Sequence, residues 1–379
     1  MANKCYTKRL ACLEIIIFLF ATLKPGLVET ALYGQSLQTG NEVRKVPSAS
    51  SAINLKEIPY KIVYETFRET ESRENWELYL MNADGSNRIN LTKTPDIDEM
   101  YPHASPDGSK LCFVVDEGTN RRNKTRSVYY MNIDGSNRVL VARNARQPCW
   151  SPNGKNIAYL KAEYDSYSTR EYATSQLMIY NLETDRHKPH PNTTLQHIYA
   201  ICWSPDGNWF LGVVKGNTIH SDAILALEAD GKGVYDLAKW GVKGCRPDFS
   251  LDGKKITWGE TDWALCVGDI DLNRPEPWVG NIRKVVRCRP AAKVYHVDFS
   301  PDGQYIAFSH GPFKGGQQVG GKAKGWDICI SDMSGKWVEV TTDGKHNKEP
   351  DWVPISDNST ITGTSPGESQ NQENIPATR

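Results

Sequence analysis

The sequence has no excess of either charge: 45 Lys and Arg stand against 45 Asp and Glu. A nucleic-acid binder normally carries a net basic face, so that class is set aside. No apolar run is long enough to cross a bilayer. The longest, Ile15–Leu23, stops at Lys24, well short of the roughly 20 residues a spanning helix needs. No CxxC pair occurs among the nine cysteines, and their spacing is irregular, so neither a zinc site nor a disulfide framework is indicated. Two familiar catalytic loops are also missing. Gly316–Lys322 nearly spells a phosphate loop, but Ala323 stands where Ser or Thr is needed and no helix follows. Gly363-Thr-Ser-Pro-Gly367 has the spacing of a nucleophile elbow without a strand to carry it.

What is present begins with an export signal. Lys4, Lys8 and Arg9 precede the short apolar run, and small residues follow near Thr30–Gly34. This order fits a signal peptide over residues 1–34. Residues 35–57 are polar and aperiodic, a linker. Residues 355–379 are nearly free of apolar side chains, as in a disordered tail. The expected location is periplasmic or secreted. With Cys5 and Cys12 in the leader, seven cysteines remain. Cys149 and Cys202, each beside a Trp, read as small core residues, and a single Cys245–Cys288 bridge is compatible with an oxidising compartment. The sequons at Asn123 and Asn192 fall in surface loops.

Between linker and tail the chain repeats. A phrase recurs as His103-Ala-Ser-Pro-Asp-Gly108, Cys149-Trp-Ser-Pro-Asn-Gly154, Cys202-Trp-Ser-Pro-Asp-Gly207, Asp248-Phe-Ser-Leu-Asp-Gly253 and Asp298-Phe-Ser-Pro-Asp-Gly303, with a truncated Asp351-Trp-Val-Pro354. Successive copies are 46, 53, 46, 50 and 53 residues apart, the period of propeller blades. Ser-Pro-Asp-Gly is a turn: Pro presets φ, and Asp and Gly accept the tight corner. A β-rich run follows each copy, for example Lys110–Val115 and Trp209–Val214. Asp-Gly-Ser-Asn at 84–87 and 134–137 then signals hairpins. The aromatic before each Ser should pack between blades. The first blade lacks its own copy of the phrase, and the last copy ends after one strand. An all-β, six-bladed β-propeller of four-stranded antiparallel blades follows. Its C-terminal strand, Glu349–Trp352, would pair with the first blade and leave no open edge.

These repeats resemble those of TolB, the periplasmic propeller of the Tol–Pal envelope system, over residues 58–354. TolB carries an α/β domain before its propeller, where this sequence has only about twenty-five linker residues. Asn347-Lys-Glu-Pro-Asp-Trp-Val-Pro354 is similar in wording to stand-alone exported TolB-like proteins. The resemblance implies a fold more than a task, because propellers host many functions.

Propeller connectivity puts short, uniform A–B and C–D turns on one face and long, varied B–C and D–A loops on the other, where function is expected. The third B–C loop, 161–175, is charged and Tyr-rich; the sixth, 310–325, is Gly-rich and basic. His220, His296, His310 and His346 all map to that face. The expected binding residues are Arg246, His296, His310, His220, Tyr199, Tyr295, Arg146 and Glu349. Arg246 suits a carboxylate or sulfate, the histidines a base or metal ligand, and the tyrosines stacking or acid chemistry. Polar residues also decorate loop ends for structural reasons alone.

Three functions fit. The first is a monomeric binding module for an envelope protein or an extracellular glycan. The second is a polysaccharide lyase acting on acidic glycans, with His296, His310 or Tyr199 as catalytic candidates. The third is a calcium-dependent lactonase or dehydrogenase using Glu260, Asp262, Asp298 and Asp351. No cofactor is required by the first reading; calcium or another divalent metal is left open by the others. Convergence of the histidines with Arg246 on one pocket separates them.

Overall fold

The computed structural model describes residues 53–69, 74–119, 122–215, 222–288, 292–312 and 325–355. The expected leader, nearly all of the expected tail, His220 and the glycine-rich loop at 313–322 lie outside these residues. Among the described residues no helix is long and apolar enough to cross a membrane.

Six four-stranded antiparallel sheets form the six blades. Blade 1 takes β1 (Lys61–Glu69), β2 (Glu74–Asn82) and β3 (Ile89–Asn90). Blade 2 is β4 (Asp98–Ala104), β5 (Lys110–Glu117), β6 (Thr125–Asn132) and β7 (Val139–Arg143). Blade 3 is β8 (Ala145–Trp150), β9 (Asn156–Ala162), β10 (Thr174–Asn181) and β11 (Arg186–Pro189). Blade 4 is β12 (Ile198–Trp203), β13 (Trp209–Val214), β14 (Ala223–Glu228) and β15 (Val234–Asp236). Blade 5 is β16 (Cys245–Phe249), β17 (Lys255–Thr261), β18 (Ala264–Asp271) and β19 (Trp278–Arg287). Blade 6 is β20 (Ala292–Phe299), β21 (Tyr305–Pro312), β22 (Asp327–Asp332) and β23 (Trp337–Glu339). The last strand, β24 (His346–Val353), returns to blade 1 and pairs antiparallel with β1, Ile62 opposite Trp352. The ring closes as the repeat count requires.

The repeat phrase makes the corner between the two inner strands. Ser105 Oγ donates to Asp107 Oδ1 at 2.6 Å and accepts from Lys110 N at 2.9 Å, and Gly108 N donates to Ser105 O at 2.8 Å. Ser151, Ser204, Ser250 and Ser300 repeat the arrangement. Burial then falls between sheets. Val63, Leu80, Leu111 and Phe113 join blades 1 and 2, and equivalent sets fill the other five seams. The aromatics before each Ser do the expected work: Trp150 Nε1 donates to His103 O at 3.0 Å, and Trp352 Nε1 to Asp298 O at 3.3 Å, each reaching the blade before it. The end of the expected linker is packed, with Ile53 and Leu55 against the seam between blades 6 and 1.

The Cys245–Cys288 bridge is absent. Both are free thiols: Cys245 opens the inner strand β16, and Cys288 follows the end of the outer strand β19. Cys149 and Cys202 are buried between blades.

Candidate functional site

Every inner strand breaks its ladder at the same place, four residues before the Ser position. The residues there are Tyr101, Gln147, Ala200, Arg246, His296 and Glu349, and each has a left-handed φ between 49° and 54°. The pairing register shifts across each of these positions. They are bulges repeated around the ring. A left-handed non-glycine residue costs about 1 kcal/mol or more, so six in one ring are held by their surroundings. Two sources of support are visible. Pro102, Pro148, Pro247 and Pro350 follow four of them, where the missing N–H forfeits no ladder bond. Side chains of the preceding blade also capture freed N–H groups: Tyr101 N donates to Glu65 Oε2 at 2.7 Å, and Ala200 N to Gln147 Oε1 at 3.0 Å. The six bulges line a cavity of about 110 Å³ at the channel.

Arg246 is the centre of the mouth. Its guanidinium donates to both oxygens of Glu171 at 3.0 Å and to Glu349 Oε2 at 2.9 Å, and it lies 5.6 Å from the centre of the Tyr101 ring. Burial works against its charge, but Glu171 and Glu349 raise its pKa further above the usual arginine value. Tyr101 OH donates to Glu171 Oε1 at 2.9 Å. Burial also opposes the Glu171 charge, yet Arg246 and that hydroxyl hold its pKa below normal. Glu349 is pushed up to about 7 by burial, against the pull of Arg246 and Lys348. Lys348 itself reaches Glu65 at 2.6 Å.

His296 is 6% exposed. Its Nε2 lies 2.8 Å from Glu349 Oε1, and its Nδ1 is 3.2 Å from Ser309 Oγ. Burial, then Arg246 and Lys348, drive its pKa well below the usual imidazole value, which favours the neutral ring. Acid, imidazole and hydroxyl occur in the order of an acyl-transfer triad. Ser309 has no exposed surface, however, and no electrophile reaches it.

The other expected residues divide. Tyr199 OH donates to Asp222 Oδ1 at 2.8 Å, and burial raises the pKa of the phenol far above its usual value. Tyr295 packs on Trp326 beneath Lys293. His310 points across its sheet to the outer strand, against Trp337 and 3.5 Å from Glu339, away from Arg246. His346 packs between Trp76 and Trp326. The histidines therefore do not converge; His296 alone of those described joins Arg246. Arg146 is 2% exposed and donates to the backbone carbonyl of Arg170. Burial and the nearby Arg126 lower it to about 10. Arg126 is itself paired through two bonds of 2.7 Å to Asp116.

The acids proposed for calcium fall into two groups, and Asp298 and Asp351 stay in contact with each other. Glu260 pairs with Lys284 and Asp262 with Lys293. Asp248, Asp298 and Asp351 instead stitch successive blades, accepting from Phe299 N (2.9 Å), Trp352 N (3.3 Å) and Ala104 N (2.6 Å). Burial raises all three, Asp351 to about 6 and the others well above the carboxylate range, and like charge next door adds to it. Among the described residues no group of His, Cys, Asp or Glu is arranged to hold a metal ion.

Glu171, Lys348 and Glu65 complete the mouth without having been singled out from sequence. Glu171 gives no local signal within its loop. Lys348 could have been found by asking which charges flank the positions four before each Ser; Glu65, within β1, carries no such signal.

Fold and mouth together define the class: a TolB-like six-bladed propeller whose charged channel opening lies on the side of the B–C loops. Residues 189–221 match the WD40 family model, described as WD domain, G-beta repeat. TolB from Acinetobacter baumannii superposes with a TM-score of 0.59 at 18% identity, over 79% of this chain and 67% of that one. A TolB-type structure from Agrobacterium tumefaciens gives 0.53 at 15%, over 76% and 90%. A chain of the nidogen/laminin complex gives 0.56 at 9%, over 78% and 99%. No curated protein matches the sequence. At these identities the likeness is one of fold.

Proposed function

We propose that this protein is an exported binding module that holds a partner at the channel mouth on its B–C loop face. The partner is an envelope protein or an extracellular glycan. The observation that carries this reading is the ring of left-handed bulges, which brings Tyr101, Arg246, His296 and Glu349 to one opening. Strain of this kind persists where surroundings enforce it, and it clusters at ligand sites. The groups gathered there are suited to recognition: a guanidinium for paired hydrogen bonding and an aromatic face. A proton-transfer role is less well served, because His296 is buried with both ring nitrogens beside protein atoms. The same fold takes part in a protein assembly in the nidogen/laminin complex.

The test is affinity capture from an envelope extract with wild type and Arg246→Ala side by side, followed by titration of each purified partner. A partner that binds wild type and loses at least about tenfold in affinity with the variant, roughly 1.4 kcal/mol, supports the reading. Failure to find any Arg246-dependent partner, together with unsaturated product from an acidic polysaccharide, would replace it with the lyase.

A further inference from the structure

The seat in front of Arg246 is filled by the protein's own chain. Glu171 belongs to the loop between β9 and β10, not to an inner strand, yet its carboxylate takes two bonds from Arg246 and one from Tyr101. This is the paired geometry by which a guanidinium recognises an external carboxylate. Glu171 sits at the solvent boundary, its side chain 26% exposed against 15% for Arg246 beneath it.

The rest of the loop is held down by polar contacts. Tyr167 OH donates to Asp116 Oδ2 at 2.6 Å, Arg146 donates to Arg170 O, and His197 lies 3.4 Å from Glu163. Apolar anchoring is confined to its end, where Tyr172 packs against the seam between blades 4 and 5 and Ala173 is buried, whereas Tyr164 in its middle is 59% accessible. Opening it means breaking these polar contacts and lifting Tyr172 from the seam, a local rather than a global unfolding. Lifting it uncovers two guanidiniums at once. Arg246 loses Glu171, and Arg146, which pairs with no carboxylate among the described residues, loses the Arg170 carbonyl. Among Arg126, Arg146, Arg246 and Lys348, the loop supplies one of the carboxylates that balance the mouth.

We propose that the 163–173 loop is an internal competitor, with Glu171 occupying a seat whose external ligand is an acidic side chain on a polypeptide. This rests on the channel mouth being the binding site, and it names both the ligand chemistry and its regulation. A polypeptide is favoured because the occupant shown to fit is a glutamate carried on a peptide loop. An external acidic segment enters by displacing Glu171 and gains Arg146 as a second anchor. Self-occupancy lowers apparent affinity by the fraction of open molecules.

The test uses the full exported chain and calorimetric titration with an end-blocked hexaglutamate peptide, with trigalacturonate and glutarate in parallel. Glu171→Gln keeps the shape and removes the competing charge. Asp165→Asn, exposed on the same loop, controls for a simple change of charge. Expected are weak binding by wild type and Asp165→Asn, binding about tenfold tighter by Glu171→Gln, and loss of binding in Glu171→Gln/Arg246→Met. Amide exchange across 163–173 should rise when the peptide binds. Equal affinities for wild type and Glu171→Gln overturn the competitor while leaving an Arg246-dependent binding module intact. Preference for trigalacturonate or glutarate overturns the polypeptide ligand. No binding of any probe to the folded Glu171→Gln protein overturns the seat itself; a partner captured through Arg246 would then still stand.

Discussion

Glu349 shows how one residue carries opposing demands. It occupies a strained bulge, accepts from Arg246 and adjoins His296. Burial raises its pKa from 4.5 to about 7, so the fold favours its protonated form. The stability this contributes is fully present below the unfolded value and is lost as pH rises through about 7. Glu349→Gln is neutral throughout and escapes the loss. Thermal melts from pH 5 to pH 8 should therefore show the variant gaining on wild type, by on the order of 2 kcal/mol. A constant difference across the range would show that Glu349 is ionised throughout. His296 works in the opposite sense. Its lowered pKa means stability is lost as pH falls below the ordinary imidazole value, which is why the variant-minus-wild-type comparison, not the raw melt, isolates Glu349.

The turn between inner strands is the element that the repeat phrase specifies, and its copies are not equivalent. Gly108 and Gly303 share a left-handed φ of 68° and 67°. A Cβ at Gly303 meets nothing within 4 Å, whereas at Gly108 it would fall 1.9 Å from the Pro354 carbonyl. Gly303→Ala should cost about 1 kcal/mol, the left-handed penalty alone. Gly108→Ala must also move the chain that leaves the closing strand, and it should cost at least twice as much in denaturant titration. Equal costs would mean the 354 segment yields freely. Local physics therefore writes the turn, while the neighbour that makes one copy sensitive comes from the far end of the chain.

At the scale of the molecule, closure depends on β24. Trp352 is 3% exposed in the seam between blades 6 and 1, its indole bonded to Asp298 and its ring edge-on to Tyr60. Trp352→Ala should destabilise by about 3–5 kcal/mol. Amide exchange should rise first in β1 and β24, because the closing sheet holds the ring. Exchange that instead rises evenly over all blades would show that the ring melts as one unit. The variant should also weaken partner capture, since Glu349 and Lys348 ride on the same strand as Trp352.

The sequence by itself determined the blade count, the turn chemistry and the closing strand. These rest on short-range rules: Pro and Gly at fixed turn positions, alternation along strands, and a period repeated six times. It also placed Arg246, His296 and Glu349 together on one face, where they line one cavity, because loop connectivity follows from strand order. It did not separate His310 from them, since which face of β21 carries it, toward Trp337 and Glu339, depends on register and twist. Nor did it show that Cys245 and Cys288 remain free thiols. Glu171 was invisible for the same reason: it lies 75 residues from Arg246 in sequence, and only the curvature of the ring brings its loop over the channel. Tertiary structure alone decided which charges meet, because electrostatic partners are chosen by distance and burial, and a repeating sequence encodes neither.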